Sequence, residues 1–484
     1  MIFTSAEYAL FLALVLPLFF ALRGQARKVL LLLSSYWFYG TWSIKFLLLL
    51  CLSTFVDYHV ARLLDRATAP ARRRSLLLLS LSVNLGALAF FKYANFFIDS
   101  ATPLLTAVGL SSQLHTLSIV LPVGISFYTF QELGYILDVY WRKSPAEPSL
   151  LNYAMYTAFF PQLVAGPIER APHLIPQLSS IGAKRSIDLS GAGLIAIGAF
   201  KKVVIADNFA NLVNAIYQQP QNKLGGALWL GTYAFAIQIY CDFSGYSDIA
   251  VGSARLLGVE VMENFNAPYA ATGPADFWGR WHISLSTWLR DYLYIPLGGN
   301  RGGEWFTTRN LMITMLLGGL WHGAAWNYVL WGGYQGLLLI VCRSRVLNSW
   351  GRRLEALISS RVFNVGRKLI FFHLVCLGWA LFRARSLADC ATLWRKLLLP
   401  GEWQLGEFFD LIGSAHQIRY VLLIFTVTFA IVLGQNVFGG STKAAVAKLW
   451  ATPPWVRFAT CSFLLYSALV LTQAEPPPFI YFQF

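Results

Sequence analysis

Charge is scarce in this sequence. Only 13% of its 484 residues are Asp, Glu, Lys or Arg, against 56% hydrophobic and 15% aromatic. That leaves too few polar side chains to coat a water-soluble globule of this length, and places the chain in a bilayer. Familiar nucleotide and nucleophile signatures are also missing. There is no Walker loop, dinucleotide fingerprint, G-x-S-x-G elbow or H-E-x-x-H pair, so nothing points to P-loop, Rossmann, serine-hydrolase or zincin chemistry. The six cysteines (Cys51, Cys241, Cys342, Cys376, Cys390, Cys461) are scattered with no C-x-x-C spacing. They read as small core residues, with no zinc or disulfide framework and no metal site implied.

What the sequence does have is long apolar runs from end to end. A span needs about 20 mostly apolar residues. Such runs lie near 6–22, 28–41, 44–61, 75–97, 116–140, 150–168, 188–206, 224–242, 308–324, 325–342, 368–383, 418–437 and 456–473. The expectation is an all-α polytopic integral membrane protein, with about 11–13 transmembrane helices plus short re-entrant or interfacial helices. No composition shift or repeat marks a second module, so 1–484 reads as a single membrane domain. Glu7 and the absence of Lys or Arg ahead of the first run make 6–22 a span rather than a secretion signal. Breaks such as LPVGISF (121–127) and PQLVAGPIER (161–170) survive in lipid only where protein or a water-filled cavity satisfies the backbone, and they point to a buried cavity. The stretch 243–307 contains no clear span and is dense in polar and aromatic residues, which suits short helices packed on the bundle.

Net charge is +15, but the basic residues alternate with the spans. Arg62, Arg66, Arg72, Arg73 and Arg74 fill one loop, and Arg343, Arg345, Arg352, Arg353, Arg361, Arg367 and Lys368 another, whereas 98–115 has no Lys or Arg. The positive-inside rule produces this alternation, with the N-terminus outside and 23–28, 62–74 and 141–143 in the cytoplasm. No basic domain stands apart from the spans, so nucleic acid is not a partner. The segment 343–368 reads as a basic cytoplasmic surface helix and 384–417, with Glu402, Glu407 and Asp410, as an extracytoplasmic loop.

Seven histidines are candidates for chemistry. His59, His115, His173 and His416 lie near span ends or turns, where imidazoles are solvated or hydrogen-bonded, and His373 in LIFFHLVCLGW reads as a partnered core residue. His322 differs. In LLGGLWHGAAWNYVLWGGYQG (316–336), Gly318, Gly319, Gly323, Ala324 and Ala325 remove bulk on both sides of it. Small residues serve close helix packing, but they also leave room for a substrate that Trp321 and Asn327 would shape. If 280–293 is helical, His282 and Ser286 share a face, with Trp281, Leu285, Trp288 and Tyr292 on another and an Arg290–Asp291 ion pair beyond. The following PLGGNRGG cannot stay helical. Asp242 and Asp248 flank FSGYS; buried carboxylates must be paired or protonated, and structural pairing is the simpler role.

Several long stretches carry a resemblance. LPVGISFYTFQELGYILDVYW (121–141), FFPQLVAGPIER (159–170), YCDFSGYSDIAVG (240–252), DFWGRWHISLSTWLRDYLYIPLGGNR (276–301) and GGLWHGAAWNYVLWG (318–332) resemble the membrane-bound O-acyltransferase superfamily, in its alginate O-acetyltransferase branch. LLLLSSYWFYGTWS (30–43) and LGWALFRA (377–384) extend the likeness over nearly the whole chain. The superfamily's catalytic histidine matches His322, and a second histidine matches His282; Gly279 departs from the pattern, in which an arginine precedes RWH. The resemblance puts the signature core at about 120–335. It implies a cytoplasmic acyl donor such as acetyl-CoA, bound as substrate with no permanent cofactor, a tunnel, and an extracytoplasmic acyltransferase partner that finishes the reaction on an exported polymer.

Acyl transfer from a thioester to a hydroxyl needs a base, a donor held near the acceptor, and stabilisation of the tetrahedral oxyanion. An imidazole in an apolar cavity tends to stay neutral, as a base must. The expected assignment is His322 as base and His282 as positioning or charge-stabilising group, with Asp242, Asp248, Ser286, Arg290, Trp321 and Asn327 lining or supporting the tunnel. The expected function is O-acetylation of an exopolysaccharide such as alginate from the bacterial inner membrane. Peptidoglycan or other cell-wall O-acetylation and D-alanyl transfer are alternatives within the class. A multi-span transporter or a structural scaffold for export are alternatives outside it.

Overall fold

The computed structural model describes residues 1–109, 116–183, 186–344, 359–399, 426–428, 440–473 and 477–482. His115, His416, the acidic positions of 402–410, most of the basic segment 343–368 and the span near 418–437 lie outside the described residues. Among those described, the secondary structure is helical, and the β pairing is a single bridge between Phe265 and Trp281.

The apolar runs became helices largely where periodicity placed them: Ala6–Ala21, Gly24–Gly40, Ile44–Arg66, Ser190–Ala206 with its π-helical end, Glu304–His322, Trp326–Arg343, Ser360–Arg383 and Pro454–Val470. Local chemistry sets several starts. Ser5, Ser149 and Ser359 accept the N–H of the third residue of their helices, and Pro70 and Pro454 supply a preset φ at a position whose N–H has no helical partner. Ile44–Arg66, Pro70–Ala107 and Ser360–Arg383 are long and apolar enough to cross a membrane by length and composition. Large apolar side chains face outward, such as Phe458 at 76% exposure and Leu104 at 71%, which hydrocarbon accommodates and water would not.

Four expectations need correction. Residues 243–256 continue the helix Gly225–Leu256, because FSGYSDIAVGSARL contains no breaker strong enough to end it. The run 116–140 is helical only from Ile125, after a left-handed Gly124. The run 150–168 breaks into Leu150–Ala158 and Phe160–Leu163, with Pro161 opening the second piece. Arg72, Arg73 and Arg74 sit in the helix Pro70–Leu88 rather than in a loop. Arg73 is buried, and its guanidinium donates to the carbonyls of Leu64, Ala67, Val139 and Tyr140 at 2.6, 3.2, 3.3 and 2.7 Å. It satisfies the orphan carbonyls at the ends of two helices at once.

The chain forms two compact units, Met1–Ile195 with Ile249–Met262, and Ala196–Asp248 with Glu263–Phe484. The first has a polar interior. Asp57 accepts Ser80 Oγ at 2.6 Å and Asn84 Nδ2 at 2.7 Å, and Glu132 accepts Ser53 and Thr54 hydroxyls at 3.1 and 3.3 Å. In the second, Glu304–His322 and Trp326–Arg343 fold back on one another across residues 323–325. Their contact runs through glycine: a Cβ on Gly319 would collide with the Tyr328 carbonyl, and one on Gly332 with the Met315 carbonyl. Without side chains at these two positions, the backbones approach as small-residue interfaces do in membranes.

Candidate active site

His322 is the last helical residue of Glu304–His322, immediately before Gly323 breaks the helix in extended conformation. It is 3% exposed and ringed by aromatics, with Trp321 and Trp331 at 5.1 Å, Phe382 at 5.6 Å and Tyr481 at 5.7 Å between ring centroids. His282 is fully buried 6.4 Å away and packs on Phe243, Trp321 and Tyr481 at 4.7, 5.9 and 6.2 Å. The two histidines singled out in the sequence therefore share one pocket.

The backbone that delivers His282 differs from the expected helix. The α-helix covers Ile283–Leu289, and His282 caps it from the left-handed region at φ 43°, a conformation costing a non-glycine residue about 1–2 kcal/mol. The surroundings hold it there. Asn266 N–H donates to Arg280 O at 2.9 Å, Ile283 N–H to Asn264 O at 3.0 Å, and Ser284 Oγ to Asn264 Oδ1 at 2.7 Å. The segment 264–266 thus pins both sides of the histidine. Ser286 remains one turn on, its N–H bonded to His282 O at 2.9 Å. Trp281, Leu285 and Trp288 of the apolar stripe are buried packing.

Two cavities flank this part of the helix pair, and His322 lines one of them. One, of about 310 Å³, is lined by Trp278, Ser286, Arg290, Thr314, Gly318, His322 and Trp331, and extends to Leu339 near the Arg343 end. Arg290 and Asp291 form the expected ion pair at 2.7 Å, and the hydrogen bond that the guanidinium donates to Asp291 holds it above its ordinary range, so it stays cationic. The other cavity, of about 400 Å³, lies at the loop end and is lined by Ala324, Ala325, Asn327, Phe382, Arg383 and Arg385 with Gln238, Asn214 and Ile480. Asn327 Nδ2 donates to Ala384 O at 2.9 Å, so it helps shape the wall by holding backbone. The small residues around His322 divide their work: Gly319 packs helices, while Gly318 lines one cavity and Ala324 and Ala325 the other.

Asp242 and Asp248 are paired with lysines. Asp248 Oδ2 is 2.7 Å from Lys201 Nζ, and Thr442 Oγ1 donates to the same oxygen at 3.0 Å. Lys202 Nζ lies 2.7 Å from Asp242 Oδ1 and 2.6 Å from Asp207 Oδ1. The other oxygen of Asp242 accepts the backbone N–H of Ile480 at 2.7 Å. Sequence reading missed this anchor and what it holds: Tyr481, whose ring packs between the two histidines and on Phe243 at 4.4 Å. The aromatic run FIYFQF was the available signal. Trp331 was also missed. It is 1% exposed, lines the cavity beside His322, and its indole N–H has no hydrogen-bond partner among the described residues.

The other histidines have separate duties. His173 Nδ1 pairs with Glu169 at 2.8 Å, His373 Nδ1 bonds Leu369 O at 2.7 Å, and His59 packs on Phe55 and Tyr58.

Residues 142–354 match the model of MBOAT, the membrane-bound O-acyltransferase family, a range that contains both histidines. The chain is 38% identical to the probable alginate O-acetylase AlgI of Pseudomonas putida, with all of both chains covered. The chain belongs to the membrane-bound O-acyltransferase family. Two further relatives frame the family's breadth. The probable alginate O-acetylase AlgI of Pseudomonas aeruginosa is 42% identical over 84% of this chain and 76% of its own. The peptidoglycan O-acetyltransferase of Helicobacter pylori is 31% identical over 96% of this chain and 94% of its own. As a member of this family the protein is a multi-pass membrane O-acyltransferase.

Proposed function

We propose that this O-acyltransferase moves acetyl groups from a cytoplasmic thioester, such as acetyl-CoA, across the bacterial inner membrane for O-acetylation of an exported polysaccharide such as alginate. The whole chain acts as one membrane domain, with the N-terminus and the 323–325 loop extracytoplasmic and the basic Arg343 end cytoplasmic. The observation that carries this reading is the position of His322, buried beside His282 on the wall of the cavity that also holds Arg290. A narrow, largely apolar cavity with Arg290 on its wall suits a thioester arm whose phosphates remain among the cytoplasmic arginines.

Each step has a residue placed for it. His322 takes the proton from an acceptor hydroxyl as that oxygen attacks the thioester carbonyl. The Trp331 indole N–H, without a partner among the described residues, donates to the developing oxyanion. The carbon–sulfur bond then breaks and the proton passes from the imidazolium to the leaving thiolate. Tyr481 supplies a phenol beside the imidazole, so the first acceptor is this chain's own hydroxyl, from which the acyl group passes outward to an extracytoplasmic acyltransferase partner. His282, held in a strained backbone position against Tyr481 and Trp321, positions the pair. Asp242 fixes Tyr481 through Ile480, while Asp248, Ser286, Trp321 and Asn327 support the walls.

Proteoliposomes containing the full chain and radiolabelled acetyl-CoA test this. Label should leave acetyl-CoA, and His322→Ala should abolish its release while the protein still inserts. Unchanged turnover in His322→Ala would sink the assignment. Comparing alginate, peptidoglycan and teichoic acid fragments as final acceptors separates the branches of the family.

A further inference from the structure

The unit that begins at Met1 buries two acids with no base to answer them. Asp57 lies within Ile44–Arg66, a helix long and apolar enough to cross a membrane, and Glu132 within Ile125–Tyr140; both are fully buried. Among the described residues, no Lys, Arg or His pairs with either acid. The titratable groups within electrostatic reach of the pair are Tyr36, Tyr128, Tyr135 and Tyr153, with the Cys51 thiol beside Tyr36, and none of these becomes a cation. Two carboxylates in such surroundings cannot both stay charged.

Hydrogen bonding distinguishes the two. Each oxygen of Asp57 accepts a donor of its own, Ser80 Oγ at 2.6 Å and Asn84 Nδ2 at 2.7 Å, as a carboxylate requires. In Glu132, Oε1 accepts both hydroxyls, Ser53 at 3.1 Å and Thr54 at 3.3 Å, while Oε2 is buried and receives no donor among the described residues. An anionic oxygen in that state bears the full cost of desolvation, whereas the hydroxyl oxygen of a carboxylic acid needs no donor. The Tyr153 hydroxyl, also buried without a partner among the described residues, faces both acids electrostatically and brings no positive charge.

We propose that Asp57 and Glu132 form a proton-binding site inside the membrane domain, with the proton on Glu132 Oε2 and Asp57 as its anionic neighbour. The ligand is one proton from water; binding forms one O–H bond, and nothing is oxidised or reduced. Ser53 and Thr54 lie one helical turn before Asp57, so the two acids approach the same face of Ile44–Arg66. Loading the proton removes the repulsion across that turn and lets Ser53 and Thr54 hold Ile125–Tyr140 in place. None of these residues lines the His322 cavity, so the site stands or falls apart from acyl transfer.

Infrared spectroscopy of the full chain in liposomes tests the site, because it separates the C=O stretch of a carboxylic acid from the carboxylate bands. At neutral pH the wild type should show an acid band that shifts when the glutamate side-chain carboxyls carry heavy carbon. That band should be lost in Glu132→Gln and kept in Asp57→Asn. Glu132→Gln, the neutral isostere of the acid, should unfold close to the wild-type temperature, and sodium chloride and choline chloride should stabilise the wild type equally. No label-sensitive acid band in the wild type overturns the site without relying on any variant to fold. A band kept in Glu132→Gln and lost in Asp57→Asn overturns the assignment of the proton to Glu132. A rise in unfolding temperature specific to sodium, lost in Glu132→Gln, overturns the proton in favour of a metal cation at the same oxygens.

Discussion

Asp242 offers a direct test of whether the segment 477–482 belongs to the catalytic machinery. One carboxylate oxygen faces Lys202 and the other accepts the Ile480 N–H at 2.7 Å, one residue before Tyr481. In Asp242→Ala the ammonium of Lys202 keeps Asp207 at 2.6 Å, so the penalty for an isolated buried charge is largely avoided. The loss then falls on the backbone bond. A hydrogen bond to a charged acceptor contributes about 1.5–3 kcal/mol, which corresponds to roughly a ten- to hundredfold fall in the docked segment. Asp242→Asn keeps a neutral acceptor worth about 0.5–1.5 kcal/mol, so its loss should be only several-fold. Initial rates of acetyl release, normalised to inserted protein, should fall in the order wild type, Asn, Ala. The KM for acetyl-CoA should barely move, because the donor cavity does not include Asp242. A fully active Asp242→Ala would refute the docking argument. Equal loss in Asn and Ala would show that the charge at this position, rather than the acceptor for Ile480, matters.

Three further substitutions address other links. Trp331→Phe removes the indole N–H together with the pyrrole part of the ring stacked on Trp379, and kcat should fall about a hundredfold with little change in KM; wild-type kcat would remove Trp331 from oxyanion stabilisation. Tyr481→Phe keeps the packing on Phe243 and deletes the hydroxyl, so it should abolish transfer to any outer acceptor, and an acetylated peptide spanning Tyr481 should disappear from mass spectra of the trapped protein. Arg73→Leu leaves four helix-end carbonyls without their donor and should lower the unfolding temperature of the detergent-solubilised protein by several degrees, with no selective effect on the donor KM.

The helices were legible because a bilayer demands long apolar runs, and the runs near 6–22, 44–61, 308–324 and 325–342 carry that demand on their surface. His322 was legible for a related reason, since an imidazole among glycines and alanines at membrane depth has few bland explanations. Features that depend on residues distant in sequence were not. Arg73 reads as topological charge until Leu64 and Tyr140 are brought to it. Asp242 reads as one more buried acid until Lys202 and Ile480 flank it. The conformation of His282 was hidden too, because nothing in RWHIS announces a left-handed residue; the bond from Ile283 N–H to Asn264 and that from Asn266 N–H to Arg280 impose it.

The same argument explains why the site is built from so many separate pieces. An imidazole at the end of a helix can border both a cavity and the loop only if the helix stops there, and Gly323 stops it while the close contact of Gly319 with Gly332 fixes the return helix. Those glycines leave no side chain to close the cage. Its walls must therefore come from elsewhere: Trp331 and Phe382 from neighbouring helices, His282 from a pinned loop, Tyr481 from the segment held by Asp242. Tyr481, in the short helical turn Ile480–Phe482, is tied to the helix Gly225–Leu256 by the bond from Ile480 N–H to Asp242, as His282 is tied to 264–266 by bonds at its neighbours.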